Sequence, residues 1–200
     1  MKKPNTSWQS AHRWYDELVG EKGQHYHKTI ILPKTIALLK LSKKSSLLDL
    51  GCGQGILSRS IPNDVFYTGI DLSAGLIQAA KSHAKQTMYH TFLTGDITKP
   101  LKIEKGKLFS HAACILAIQN VERPEDVFKQ LVPCLEQGAT FVCVMNHPAF
   151  RIPRQTSWGF DEAQKMQYRK SNSYMSPQKI PIDMHPGKGE QEKNQTWSFH

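Results

Sequence analysis

Cysteine is scarce in this sequence, and its four copies, Cys52, Cys114, Cys134 and Cys143, stand far apart. They form neither the C-x-x-C pair of a zinc site nor the dense framework of a stapled secreted domain, so they read as reduced, mostly buried thiols. No uncharged apolar run approaches the ~18 to 20 residues of a membrane helix, and residues 1–7 lead into no apolar signal segment. The expectation is a soluble cytoplasmic protein without membrane insertion. Repeats and low-complexity stretches are absent, and tryptophan is missing from the middle of the chain: Trp8 and Trp14 lie early, Trp158 and Trp197 late. What remains is 200 residues, 39% hydrophobic and 22% charged, enough for one ordinary globular core.

The net charge of +9 is uneven. The middle of the chain is neutral and both flanks are basic, which suits either a solvated helix face or attraction to nucleic acid, the former being the plainer reading. In 6–19 the apolar residues Trp8, Ala11, Tyr15, Leu18 and Val19 recur three or four apart, predicting one amphipathic helix stopped by Gly20. A second helical pattern runs over 24–41, and Pro33 should kink it or mark a late start. Residues 45–150 then alternate apolar runs with helical patterns, predicting a Rossmann-like, doubly wound α/β sheet, mostly or wholly parallel. Five strands are visible, at 47–50, 65–71, 89–94, 108–117 and 140–145. Helices are expected after Gly55, over 73–85, and over 124–136 with Gly138 as stop. Beyond His147 prolines punctuate the chain and no strong element stands out. The organisation is thus an N-terminal helical cap (1–44), a ligand-binding core (45–147) and an irregular Pro-rich segment on the substrate side (148–200), within one domain.

Chemistry concentrates in Leu47-Leu48-Asp49-Leu50-Gly51-Cys52-Gly53-Gln54-Gly55, an apolar strand ending in an acid and alternating glycines before a helix. Glycines there permit unusual dihedrals and clear side chains from a ligand's approach, while helix-terminal N–H groups face the visitor. A tight strand-to-helix corner alone also recruits glycine. The next strand ends in Asp71, whose carboxylate can accept from both hydroxyls of a ribose, and the third finishes at Gly95-Asp96-Ile97. Three acids then ring one crevice. A dinucleotide turn reads G-x-G-x-x-G, but its last position here is Ile56, which weakens a nicotinamide reading.

In residues 45–147 the chain resembles the class I S-adenosylmethionine-dependent methyltransferases, especially the group that includes the ubiquinone and menaquinone methyltransferases. Asp49-Leu50-Gly51-Cys52-Gly53-Gln54-Gly55 is similar to that family's first motif, Ile70-Asp71-Leu72-Ser73 to its second, Gly95-Asp96-Ile97 to its third, and Leu116-Ala117-Ile118-Gln119-Asn120 to the loop after its fourth strand. The resemblance implies S-adenosylmethionine as methyl donor, S-adenosylhomocysteine as product, and a small-molecule acceptor. It implies that Gly51, Cys52, Gly53 and Gly55 approach the methionine moiety with Asp49 near its amino group. Asp71 and the adjoining Leu72 would hold the ribose side, Asp96 would accept from the adenine amine with Ile97 against the ring, and Leu116 would line the floor. Each acid also has a local reading: turn residue, helix cap or loop carboxylate.

A sulfonium already activates its methyl group, so the protein mainly has to hold a nucleophile in line at about 3 to 3.5 Å and exclude water. For a hydroxyl or ammonium acceptor, His147 is the best-placed proton acceptor, although it also suits a plain turn before Pro148. Asn146-His147-Pro148-Ala149 is a misplaced and incomplete version of the loop of nucleic-acid amino-methyltransferases. Tyr26 and His27 are candidates to cap the crevice on the substrate side, and Arg151 and Trp158 to meet an anionic or aromatic acceptor. His25 and His27 point apart on a helix, so no metal site is expected. The family's closing helix and last two strands are expected to be missing, leaving the fifth strand as an open edge available for self-association. An RNA methyltransferase using the basic flanks, or a truncated cofactor-binding protein without turnover, remain alternative readings.

Overall fold

Leu47, Leu48, Asp49 and Leu50 are all buried although successive strand residues point to opposite faces, so their strand must lie at the centre of a sheet covered on both sides. A computed structural model, which describes residues 8–20, 23–84, 87–147, 156–174, 176, 178–183 and 193–198, places it there. The strands β1 (Ser46–Leu50), β2 (Phe66–Asp71), β3 (His90–Thr94), β4 (Phe109–Ile115) and β5 (Leu135–Val144) form one sheet in the order β3-β2-β1-β4-β5. Every pairing in it is parallel. The order reverses between β1 and β4, which opens a crevice at the carboxyl ends of these strands, where open α/β sheets bind ligands. Among the described residues no further strand joins this sheet, and no helix is long and apolar enough to cross a membrane.

Helices α1 (His12–Val19), α2 (Leu32–Leu39), α3 (Ile56–Ser60), α4 (Ala74–His83) and α5 (Pro124–Leu131) surround the sheet in the order the sequence predicts. Gly20, at φ 58°, ends α1. Pro33 falls in the first turn of α2, directly after a π-helical turn over His27–Ile31, and the backbone stays helical through the junction, with Ile31 and Leu32 both right-handed. Ser73 caps α4 by accepting from the Leu76 amide at 3.2 Å, and Gln9 near the start of α1 joins the same cap, its Oε1 accepting from the Ser73 hydroxyl and the Gly75 amide, each at 3.0 Å. The core packs Leu39, Leu47, Tyr67, Ile77, Phe92 and Val142 together.

Several expectations need correction. The helix expected over 124–136 ends at Leu131. Pro133 tightens the next residues, Val132–Cys134, into a 3₁₀ turn, and Leu135 already opens β5, so Gly138 is no helix stop. Between Leu135 and Thr140 the register with β4 shifts, and Gly138 at φ 78° lies inside this irregular stretch. The cysteines are all free, but only Cys52 and Cys114 are buried, while Cys143 on β5 is exposed.

The chain divides into two compact units, one of Ser7–Ile118 with Arg123–Val144 and a second that includes Gln119–Glu122 and Met145–His200. The second unit is not irregular: it carries β6 (Thr156–Asp161) paired antiparallel with β7 (Met166–Ser171), and β8 (Gln178–Asp183) paired antiparallel with β9 (Lys193–Ser198). On the first of these ribbons the Arg169 guanidinium stacks 5.1 Å over the exposed Trp158 ring.

Replacing Ser73 by alanine removes the α4 cap and the hydroxyl that Gln9 accepts from. The expected cost is about 1 to 2 kcal/mol, read as a lower urea midpoint at unchanged m-value. An unchanged midpoint would show that the cap contributes nothing.

Candidate functional site

At the end of β1 the chain turns sharply. The amides of Gly51 and Cys52 both donate to the Ile70 carbonyl on β2, at 2.8 and 3.0 Å. Gly51 takes φ 72°, and a Cβ there would stand 2.4 Å from the Cβ of Ala117, so no side chain fits between β1 and the end of β4. A Cβ on Gly55 would press on Phe92 and Ala80, at 3.0 and 3.2 Å, which makes its absence a matter of packing below the turn. Gly53 is different: the nearest atom its Cβ would meet belongs to the Tyr15 ring, 3.7 Å away. The Cys52 thiol is buried, donates to the Gly53 carbonyl at 3.7 Å, and lies 2.9 Å from where a Gly69 Cβ would be.

The three carboxylates sit in three environments. Asp49 is 2% exposed; its Oδ2 accepts from the Tyr67 hydroxyl at 2.6 Å, and its Oδ1 has no hydrogen-bond partner among the described residues. Burial pushes its pKa up to about 7, the Tyr67 hydrogen bond opposes this, and the nearby Asp71 adds to it. The half-buried Asp71 accepts the Gly53 amide on Oδ2 at 2.9 Å and the Ser73 amide on Oδ1 at 2.8 Å. Burial raises its pKa, against the pull of the Ser73, Gly53 and Leu72 amides. Asp96 lies at the end of β3, and its Oδ1 accepts from the Thr98 amide and hydroxyl at 2.9 and 2.6 Å, while Lys99 stands 3.4 Å from Oδ2. Partial burial pushes its pKa up, but the Thr98 and Lys99 donors prevail and hold it below the usual carboxylate value.

Beside Asp96 lies a cavity of about 410 Å³, lined by Ile70, Leu72, Leu93, Leu101 and the lysines Lys99 and Lys102. Ile97 is buried next to it in sequence. Leu116, at the end of β4, takes a left-handed φ of 53° while its amide donates to the Val144 carbonyl at 2.7 Å. A non-glycine residue held there is strained, and such strain gathers at functional sites.

One wall was missed by sequence reasoning. Helix α1 is fastened across the turn by Gln9 on the α4 cap, by Asp16 with His83 at 3.0 Å, and by the Gly20 carbonyl accepting from Gln54 at 2.9 Å. This sets Tyr15 beside Gly53 and Asp71, with its ring 5.3 Å from that of Trp8. Burial, with Asp71 second, raises the Tyr15 pKa to about 12, so the residue stays a neutral donor. The available signal was the aromatic content of 8–15. The residues read as crevice caps lie elsewhere in character: Tyr26 is 66% exposed, and His27 is buried in the π-helical turn, where burial lowers its pKa. His147 and Trp158 belong to the second unit, and Arg151 lies outside the described residues.

A doubly wound parallel sheet with a glycine corner and acids at three adjacent strand ends defines a Rossmann-like α/β protein. A family model described as a methyltransferase domain matches residues 48–143. Ubiquinone biosynthesis O-methyltransferase from Glaesserella parasuis is 27% identical over 151 residues, 70% of this chain and 61% of the relative. The chain thus spans about six tenths of the length of that curated relative. Among solved structures, an S-adenosylmethionine-dependent methyltransferase from Mesorhizobium loti shares the fold with a TM-score of 0.62 at 23% identity, covering 81% of this chain and 69% of that one. A methyltransferase from Thiobacillus denitrificans in complex with S-adenosylhomocysteine aligns with a TM-score of 0.51 at 23% identity, over 72% and 56% of the two chains. Residues 48–143 thus match a methyltransferase domain, and the fold is the one these S-adenosylmethionine-dependent methyltransferase structures share.

The raised pKa of Asp49 has a stability consequence. The native state keeps this proton up to about pH 7, whereas the unfolded chain releases it near the ordinary value of 3.8. Between those values the native state binds more protons, so unfolding becomes easier as pH rises. Asp49→Asn is therefore expected to raise the melting temperature relative to wild type increasingly from pH 4 to pH 8. A difference that stays flat across that range would place Asp49 at ordinary acidity.

Proposed function

We propose that this domain binds S-adenosylmethionine in the crevice between β1 and β4 and transfers its methyl group to a hydroxyl of a small-molecule acceptor. The observation that carries the reading is the Asp49 Oδ1 atom, a buried acceptor without a partner at the foot of the glycine corner. Burying such an atom unpaired is costly, and an α-ammonium group supplies the donor it lacks. The other parts fit the same molecule. Asp71 already accepts two amides, and a carboxylate has lone pairs left for ribose hydroxyls. The apolar cavity beside Leu72 and Asp96 suits an adenine ring.

When bound, S-adenosylmethionine supplies a methyl group already activated by its sulfonium. The work of this chain is then to bind, orient and exclude water. Asp49 holds the amino acid end, Asp71 the sugar, and Asp96 with Leu72 and Ile97 the base. Tyr15 shields the glycine corner from solvent and keeps a neutral hydroxyl there. Leu116 and Ala117 close the floor. The hydroxyl acceptor follows the name of the Glaesserella relative, and a proton leaving that hydroxyl needs an acceptor.

Calorimetric titration with S-adenosylhomocysteine tests the donor site. Wild type should bind, and Asp71→Ala should weaken binding by about 1.5 to 3 kcal/mol, the range for a hydrogen bond to a charged group. Unchanged affinity in that variant would remove Asp71 from the site. Incubation with labelled S-adenosylmethionine and a panel of phenolic acceptors, with structured RNA as the comparison, reads the acceptor class; label in RNA alone would overturn the small-molecule assignment.

A further inference from the structure

The mechanism leaves Tyr67 unused, yet it is one of the largest fully buried side chains and it ends in a polar hydroxyl. Parallel register sets Leu47 beside Tyr67 and Asp49 beside Gly69. A Cβ on Gly69 would stand 2.9 Å from the Tyr67 hydroxyl and 2.9 Å from the Cys52 sulfur. Gly69 is thus the gap through which the Tyr67 hydroxyl reaches across to Asp49 Oδ2, at 2.6 Å. The ring is packed against Phe92, with centroids 5.5 Å apart, and against His90, at 5.3 Å, so the hydroxyl has little freedom to leave. A carboxylate gripped at one oxygen cannot spin about its bond to Cβ, and its second oxygen takes a fixed place.

We propose that Tyr67 is a positioning residue for the methyl donor: by holding Asp49 Oδ2, it presents Asp49 Oδ1 to the donor's α-ammonium group. This rests on the donor site proposed above and adds to it a residue that touches neither donor nor acceptor. The division of labour between the two carboxylate oxygens follows from the contacts, one satisfied by protein and one left open. The hydroxyl also helps keep Asp49 ionised, because a donated hydrogen bond favours the carboxylate over the acid. The other titratable and charged groups around the pair are His90 on β3, Cys52 and Asp71 at the turn, Cys114 on β4, and Arg59 on α3. The Tyr67 hydroxyl donates directly to the Asp49 carboxylate, so it is a contact that a single substitution removes cleanly.

The test compares two probes, S-adenosylhomocysteine and 5′-methylthioadenosine, which shares the nucleoside and thioether but lacks the amino acid end. Tyr67→Phe should weaken S-adenosylhomocysteine about tenfold near pH 7 and leave methylthioadenosine unchanged within about twofold. The pH at which S-adenosylhomocysteine binding reaches half strength should move up by about one unit, since Asp49 loses a donor that favoured its charge. In an Asp49→Asn background the same Tyr67→Phe change should cost nothing further. Methylthioadenosine binding doubles as the check that each variant is folded. Should Tyr67→Phe not fold, the hydroxyl proton of Tyr67 in the wild type, followed by NMR, should shift on adding S-adenosylhomocysteine and stay put with methylthioadenosine. Equal losses for both probes, an unmoved pH midpoint, or a hydroxyl resonance indifferent to both would overturn the role given to Tyr67 while leaving the donor site intact. A wild type that binds neither probe would instead bring down the donor site itself.

Discussion

A carboxylate without water governs this structure. Asp49 stands at the carboxyl end of the central strand, where sheet and helices exclude solvent, and among the described residues the Tyr67 hydroxyl is its one hydrogen-bond donor. Taking a charged group out of water is expensive, and the protein answers in two ways at once: the group keeps its proton to higher pH, and half of its hydrogen-bonding capacity stays unspent. A purely structural acid would find this arrangement poor. For an acid meant to meet a cationic end of a ligand it is apt, because the penalty is relieved when the partner arrives. The glycine turn, the inserted tyrosine and the position of β1 at the switch in strand order are all needed to put the carboxylate there.

The site is assembled from pieces that serve packing and binding together. Gly51 makes room for Ala117 and Gly55 for Phe92 and Ala80, so two of the three glycines are dictated by the protein's own interior. Asp71 organises the backbone amides of Gly53 and Ser73, in the turns after β1 and β2, before any sugar is present. Such preorganisation reduces what a ligand must arrange on binding. At the end of β4, the left-handed backbone of Leu116 is held in place by its bond to the Val144 carbonyl.

Much of this was legible in the sequence because the central strands carry their own signal. A strand buried on both faces reads as an unbroken apolar run, and an acid at its end is conspicuous. The glycine corner and the three acids followed directly. Tyr15 was harder: nothing in 6–19 says which face of a short amphipathic helix meets the sheet or where along the sheet it lies. Tyr67 reads as an ordinary core aromatic until the register of β1 and β2 is known, since its partner is 18 positions away. The ribbons beyond His147 escaped for another reason. Trp158 and Phe160 alternate along β6, yet both are exposed, so no buried face repeats at period two; in β8, Pro181 argues against a strand altogether. Gly138 misled because a glycine after a helical pattern is a good stop signal, and here the chain had already left the helix at a proline.

The crevice has walls of unequal compliance. On one side the Ile70 carbonyl takes two amides in succession and rivets the glycine corner to β2, so that corner behaves as an anvil. On the other side α1 is pinned by a glutamine, a histidine–aspartate contact and a terminal carbonyl, all side-chain or end-of-helix links instead of sheet ladder bonds. The two walls therefore differ in kind: loosening the corner would break backbone hydrogen bonds, whereas loosening the helix would break a few replaceable tethers on one short segment.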